Sequence, residues 1–410
     1  LEAIMTISGR NPLDSGLVLV TIALLLLGLV FVYSSSYYLC ARYFDDSLLL
    51  LKKQLLAALI GLGLMSFLAY FDYHRLQQLA NLALIASFGL TMLTLMPGLS
   101  TGGRWLLLGP LQLQPTELLK LALLVYVASS IVRRGERMVS FSEGVLPHLV
   151  ILGAAGGLAV AQPDLGMALI YGAIIFFLLF IGRAQVRHLL TCILAGLPMI
   201  YLLIRITPYR WSRLVAFLNP LKYGQDKGYQ LVQSLTAIGS GGLFGRGLGL
   251  GREKLLYLPS AHNDFIAATI AEELGLLGAL LLLLLFGFLV YRGFLIVRRA
   301  PDQFGFLLGA GFLFTLGLQT ALNLGVAAGI FPVTGLTLPF ISYGGSSLIV
   351  SLAMVGILLN ISKQGKEGDF AGLSGWRREW GAPLPRSGDL GGLSPWALRP
   401  RGGAPRVYWR

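Results

Sequence analysis

Charge is what this chain has least of. Only 12% of its residues are Asp, Glu, Lys or Arg, while 55% are hydrophobic and mean hydropathy is +0.74. A soluble domain carries about 25% charged residues, so the composition excludes one. Cysteine is scarce too: Cys40 and Cys192 stand far apart, with no CxxC and no neighbouring His. That excludes a disulfide framework and a thiolate metal site, and leaves both as small apolar packing residues. No Walker-type phosphate loop and no strand-borne glycine fingerprint is present, so no nucleotide site is read. No nucleic-acid partner is expected.

What remains is hydrocarbon. Apolar runs of about 20 residues recur along most of the chain, the signature of spanning helices. The fold class is therefore all-α: a polytopic membrane protein with about ten transmembrane helices. They fall near 16–36, 54–70, 79–97, 116–132, 146–161, 165–182, 189–204, 264–291, 303–328 and 345–362. The first run is long enough to stay as a span rather than a cleaved leader. Arg133, Arg134 and Arg137, then Arg183 and Arg187, then Arg292, Arg298 and Arg299 occupy three short loops of one side. Cationic short loops are cytoplasmic, which puts both termini inside. The organisation reads as a cytoplasmic segment (1–15), a membrane domain (16–362) and a disordered basic cytoplasmic tail (363–410).

Segment 205–263 is then a large extracytoplasmic loop between the seventh and eighth spans. It carries eight cationic side chains against two acidic ones, a net +6. Long loops cross regardless of charge, yet the excess suits an anionic ligand, with lipid phosphate contact as the plainer account. The loop contains the run Ile238-Gly-Ser-Gly-Gly-Leu-Phe-Gly-Arg-Gly-Leu-Gly-Leu-Gly251. Glycine lets backbone N–H groups approach a phosphate, but equally suits a re-entrant loop or close helix packing.

Four places break the hydrocarbon with ionisable groups, and intramembrane charge marks function by default. Glu117 and Lys120 stand three apart at the start of the fourth span, spaced to pair. Asp164 opens the sixth span, where a helix cap competes with a ligand role. His262-Asn-Asp264 closes the basic loop, and Glu272-Glu273 lies two turns deeper, with Asp264, Ala268 and Glu272 on one face. Topology gathers the first three clusters, with Ser342-Tyr-Gly-Gly-Ser-Ser347, around one outward-facing cavity. Carboxylates beside cations suit a phosphorylated, lipid-borne substrate, one acid serving as general base while cations, or a metal, stabilise a leaving pyrophosphate.

These motifs, in order, resemble the SEDS (shape, elongation, division and sporulation) family over residues 15–362. They are Gly103-Arg-Trp105 with Gln114-Pro-Thr-Glu117, Gln162-Pro-Asp-Leu-Gly166, Gly228-Tyr-Gln-Leu-Val-Gln-Ser234, Ala261-His-Asn-Asp-Phe265 with Glu272-Glu-Leu-Gly275, and Pro332-Val-Thr-Gly335 running to Ser347. The Ala-His-Asn-Asp and Pro-Val-Thr-Gly forms are closer to the division and sporulation branches than to the elongation branch.

The resemblance implies an inverting peptidoglycan glycosyltransferase of the bacterial cytoplasmic membrane, acting at its outer face on lipid II. It makes Asp264 the essential catalytic carboxylate, the general base toward the acceptor hydroxyl, and places Glu117, Lys120 and Asp164 in the substrate cavity. Arg210 and Arg213 are added here as pyrophosphate contacts, with His262 and Ser342 as further cavity residues. A divalent cation, Mg2+ or Mn2+, is compatible with the carboxylates; no organic cofactor is expected. The implied partners are a class B penicillin-binding protein and other divisome or elongasome membrane proteins. A lipid II flippase and a non-catalytic division scaffold are the competing readings, the former lacking paired broken spans and the latter leaving the buried acid without a task.

Overall fold

The computed structural model describes residues 12–108, 111–226, 228–252, 258–259 and 261–365. The expected tail beyond Gly365 and the first eleven residues lie outside these. In chain order the helices are α1 (Ser15–Phe44), α2 (Leu49–Tyr70), α3 (Tyr73–Leu93), α4 (Pro115–Arg134), α5 (Leu146–Ala161) and α6 (Leu165–Ile181). Then follow α7 (Val186–Ile206), α8 (Pro208–Leu218), α9 (Tyr229–Gly241), α10 (Ile266–Arg298), α11 (Gln303–Ala327) and α12 (Gly345–Gln364). Among the described residues nine helical stretches are long and apolar enough to cross a membrane. The remaining apolar helix, α6, has 17 residues, about 26 Å of rise, close to the hydrocarbon thickness. The protein is a multi-pass helical membrane protein.

α4 and α12 are the inner helices, with 78% and 83% of their apolar windows buried against 6% for α7. Apolar surface gains nothing by leaving lipid for protein, so helices in a membrane associate where small residues let backbones approach. Gly61 on α2 and Gly356 on α12 do this. A Cβ at Gly61 would lie 2.5 Å from the Leu352 side chain, and one at Gly356 2.5 Å from the Met65 carbonyl.

Helix limits differ from the apolar runs because polar residues continue the helices. α1 runs on to Phe44, past the expected end at 36, and Ser35 and Ser36 satisfy their hydroxyls within the helix on the Phe31 and Val32 carbonyls, each at 2.6 Å. The eighth span begins at Ile266 rather than 264, which leaves Asp264 in the turn before α10. The chain is not wholly α-helical. β1 (Ser100–Thr101), β2 (Trp105–Leu108) and β3 (Leu111–Leu113) form a small antiparallel sheet, with Thr101 opposite Trp105 and Leu107 opposite Gln112.

The long segment between α7 and α10 contains two helices, α8 and α9, and its glycine run packs on α10. That helix breaks at Gly275 (φ 69°, ψ −163°), freeing carbonyls before the break and N–H groups after it. Arg246 and Gly247 donate to the Glu272 and Glu273 carbonyls at 3.0 Å, while Leu276 and Leu277 donate to Gly242 and Leu243 at 2.9 and 3.2 Å. The two carboxylates finish the arrangement. Glu272 Oε1 accepts from Arg252 N at 2.7 Å, Glu273 Oε2 from Gly249 N at 2.9 Å, and Ser34 donates to Glu273 at 2.8 Å. Irregular backbone at span depth must be satisfied by protein, and here a broken helix and a glycine loop satisfy each other. Glu272 and Glu273, marked in the sequence only as the deepest acidic pair, thus anchor the loop, and of the readings open for the glycine run the structure shows close packing on a helix.

Replacement of Gly245 tests this account. Its φ is +78° and a Cβ would lie 2.1 Å from the Glu273 carbonyl, whereas Gly242 (φ +55°) has open space at that position. Gly245→Ala should cost about 2–3 kcal/mol and Gly242→Ala about 1 kcal/mol, read as melting temperatures in detergent. Equal shifts for the two would remove the packing role.

Candidate active site

Four helix N-termini converge at one end of the bundle. Gln114, Asp164 and Gly344 precede the first turns of α4, α6 and α12, and Asp264 stands two residues before α10. All four residues line one cleft. N-termini carry the positive end of the helix dipole and unpaired N–H groups, which favours an anion between them.

The cleft has two lobes that share Arg104, Trp105, Asp164, Asn263, Asp264 and Gly335. One lobe, about 170 Å³, is polar and is walled by Lys53, Gln112, Gln114, Thr337, Tyr343 and Ser347. The other, about 350 Å³, combines Arg210 and Arg213 with the apolar Leu169, Ile204, Leu214 and Val333. Arg210 and Arg213 are held by the Val160 and Val333 carbonyls, each at 3.2 Å, and the Arg213 guanidinium lies 4.5 Å from the Tyr209 ring centre. A cationic, half-apolar lobe beside a polar one suits a lipid pyrophosphate facing a sugar.

The acid between them is held from three directions. Ser342 Oγ donates to the Asn263 carbonyl at 2.7 Å and accepts from Leu338 N at 2.9 Å. Tyr343 N donates to the His262 carbonyl at 2.9 Å. Asn323 Nδ2 donates to the carbonyls of Asp264 and Leu336 at 3.0 and 2.7 Å. Gly335, at φ +77°, leaves room for the carboxylate: a Cβ there would lie 3.7 Å from Asp264 Oδ2. Burial pushes Asp264 up to about 6, against the pull of Arg213 and with a smaller push from Asp164. Burial raises Asp164 as well and lowers His262 to about 4, so His262 stays neutral near pH 7.

The expected residues therefore separate. Asp264, Asp164, Arg210 and Arg213 line the cleft. Asp164 also caps α6, accepting from Met167 N at 3.0 Å, so the cap and the cavity role coexist. Glu117 and Lys120 lie outside the lining, paired at 2.5 Å, with Lys120 wholly buried and bonded to Gln319 Oε1 at 3.1 Å. His262 and Ser342 shape the turn that carries Asp264 and do not line the cleft. Arg104, which sequence reasoning missed as a site residue, lines both lobes. The β1–β2 turn, through Gly102 and Gly103 at φ +60° and +69°, delivers it. Its guanidinium donates to the Gln162 carbonyl at 2.7 Å and to the Pro163 carbonyl, with Nη1 3.9 Å from Asp164 Oδ2. The two successive glycines before an arginine were the available signal.

A family model described as a cell cycle protein, FtsW/RodA/SpoVE, matches residues 15–367. The chain belongs to the FtsW/RodA/SpoVE family. Stage V sporulation protein E of Bacillus subtilis is 40% identical over 363 residues, covering 88% of this chain and 99% of that protein. A probable peptidoglycan glycosyltransferase FtsW of Geobacter metallireducens is 39% identical over 357 residues, covering 86% and 95%. Among solved structures, a chain of a peptidoglycan synthase complex described as coordinating polymerization and crosslinking superposes with TM-score 0.72 at 33% identity, covering 87% of this chain and 99% of that one. The rod shape determining protein RodA of Thermus thermophilus gives TM-score 0.64 at 34% identity, covering 87% and 98%. Both sequence relatives belong to the division and sporulation side of the family, as the His-Asn-Asp and Pro-Val-Thr-Gly forms led us to expect.

Proposed function

We propose that this FtsW/RodA/SpoVE family member is an inverting peptidoglycan glycosyltransferase that polymerises lipid II at the outer face of the bacterial cytoplasmic membrane, with both termini inside. The observation that carries the reading is the position of Asp264 at the seam of a polar lobe and a cationic, half-apolar lobe. The polar lobe takes the acceptor sugar and the cationic lobe takes the donor's pyrophosphate. Asp264 removes the proton from the acceptor hydroxyl, and that oxygen forms a bond to the donor's anomeric carbon. The bond from that carbon to the pyrophosphate breaks, its electron pair leaving with undecaprenyl pyrophosphate. One displacement inverts the α-linked donor to a β link, so no covalent sugar–enzyme intermediate arises.

A carboxylate raised to about 6 is ionised at neutral pH yet close enough in basicity to accept a proton. Arg213, Arg210 and the helix N-termini stabilise the charge gathering on the leaving group. Among the described residues no cluster of three or more His, Cys, Asp or Glu could hold a metal. Asp164 and Asp264, which both line the two lobes, are the carboxylates that would hold a Mg2+. A bound cation would screen the pyrophosphate.

The partner is a single-span class B penicillin-binding protein that crosslinks the product, consistent with the likeness to a synthase complex. Incubation of the purified pair with lipid II in detergent tests the function, and absence of any glycan polymer would sink it. In that assay Arg213→Ala should lower kcat/KM about 10- to 100-fold, the worth of one charge-assisted contact, with partial recovery in Arg213→Lys. An unchanged value would move the pyrophosphate elsewhere.

A further inference from the structure

Two buried polar atoms on α11 lack partners, and they complement each other. Gln319 is 1% exposed, and its Oε1 accepts from Lys120 Nζ at 3.1 Å. An ammonium group can only donate, so it selects the carbonyl end of the amide and turns Nε2 away. That Nε2 is buried with no acceptor. One turn later Asn323, also 1% exposed, spends its amide hydrogens on the carbonyls of Asp264 and Leu336. Those two bonds fix its orientation equally, and its Oδ1 is buried with no donor. Residues four apart share a helical face. An orphaned donor thus stands one turn from an orphaned acceptor inside a span, where unpaired polar groups are costly.

We propose that one bridging water joins Gln319 Nε2–H to Asn323 Oδ1, so that the Glu117–Lys120 pair positions the Asp264 turn through α11. The two amides are positioning residues, since neither lines the cleft. Lys120 orients Gln319, Gln319 orients Asn323, and Asn323 clamps both banks of the cleft. One bank is the Asp264 turn. The other is the segment around Leu336, whose neighbours Gly335 and Thr337 line the polar lobe. The string gives an ion pair outside the cleft a route to the reacting acid. Its kinetic consequence rests on the glycosyltransferase reading; its structural core does not.

Gln319→Met keeps length and volume but donates nothing. Gln319→Glu still accepts from Lys120 but has no N–H, and serves if the first variant folds poorly. Both are compared with the wild-type full chain, bound to its partner, in two assays: initial rates on lipid II, and carbodiimide labelling of Asp264 against pH, read by mass spectrometry. We expect kcat to fall about tenfold with KM within about twofold. The labelling midpoint should move by about half a unit or more in either direction. Removing the pair as well, by Glu117→Leu with Lys120→Met, should change neither reading further in the Gln319→Met background, because linked residues are not additive. A lowered melting temperature with unchanged kcat and midpoint would overturn the proposal, as would a full additional effect of removing the pair. Labelling needs no polymerisation, so an inactive wild type would count against the enzymatic reading while the labelling still decides this one.

Discussion

Asp264→Asn is expected to abolish polymerisation and to stabilise the protein at the same time. A positioned general base contributes about 10²- to 10⁴-fold, and asparagine fills the same space without accepting the proton. The pH profile of the wild type carries the same information. With Asp264 pushed up to about 6 by burial, kcat/KM should rise with unit slope below that value and level off above about pH 7. His262, held near 4 by burial, is neutral over this range and adds no second limb. Stability runs in the opposite direction. The folded value lies above the ordinary carboxylate value of 3.8, so the contribution of the protonated acid is fully present below 3.8 and is lost as pH rises through about 6. The gain in melting temperature from Asp264→Asn should therefore be clear at pH 8 and shrink at pH 4.5. Wild-type chain lengths from this variant would remove Asp264 as the base. A stabilisation independent of pH would remove burial of its charge as the cause.

The features legible in the sequence were those with a local signature. Hydrophobic runs located the spans because a bilayer demands about 20 apolar residues of every crossing helix. Asp264, Asp164 and the two loop arginines stood out because charge near hydrocarbon needs a reason, and all four line the cleft. What stayed hidden depends on contacts between distant segments. The break at Gly275 and the loop that repairs it are separated by some thirty residues, and neither is readable alone. For that reason Glu272 and Glu273, which share the acidic character of Asp264, carried no assigned task in the sequence, and their role as loop anchors emerges only from the fold. The β1–β3 sheet was missed because its strands have only two to four residues, too short for alternation to register. Glu117 and Lys120 were paired correctly from their spacing, but spacing gives no depth, and they proved to lie outside the cleft.

Lys120→Met is expected to be more damaging than loss of the whole ion pair. Lys120 is 0% exposed and Glu117 4%, and the ammonium binds both Glu117 Oε2 at 2.5 Å and Gln319 Oε1 at 3.1 Å. Removing one partner leaves a buried carboxylate without its cation, which costs about 3–5 kcal/mol. Replacing both, as Glu117→Leu with Lys120→Met, removes the uncompensated charge and should recover most of that loss, since a packed apolar pair is often as stable as the buried ions it replaces. Melting temperatures of the two variants in detergent check the first half: a double variant no more stable than the single one would show that the pair is not the source of the cost. The second half is kinetic. If the pair only held α4 in place, restored stability would restore polymerisation. If Lys120 sets the amide of Gln319, and through Asn323 the turn that carries Asp264, the double variant folds well and still works about tenfold more slowly. A stable but slow double variant separates the two roles of a single salt bridge, because only the first of them can be replaced by hydrocarbon.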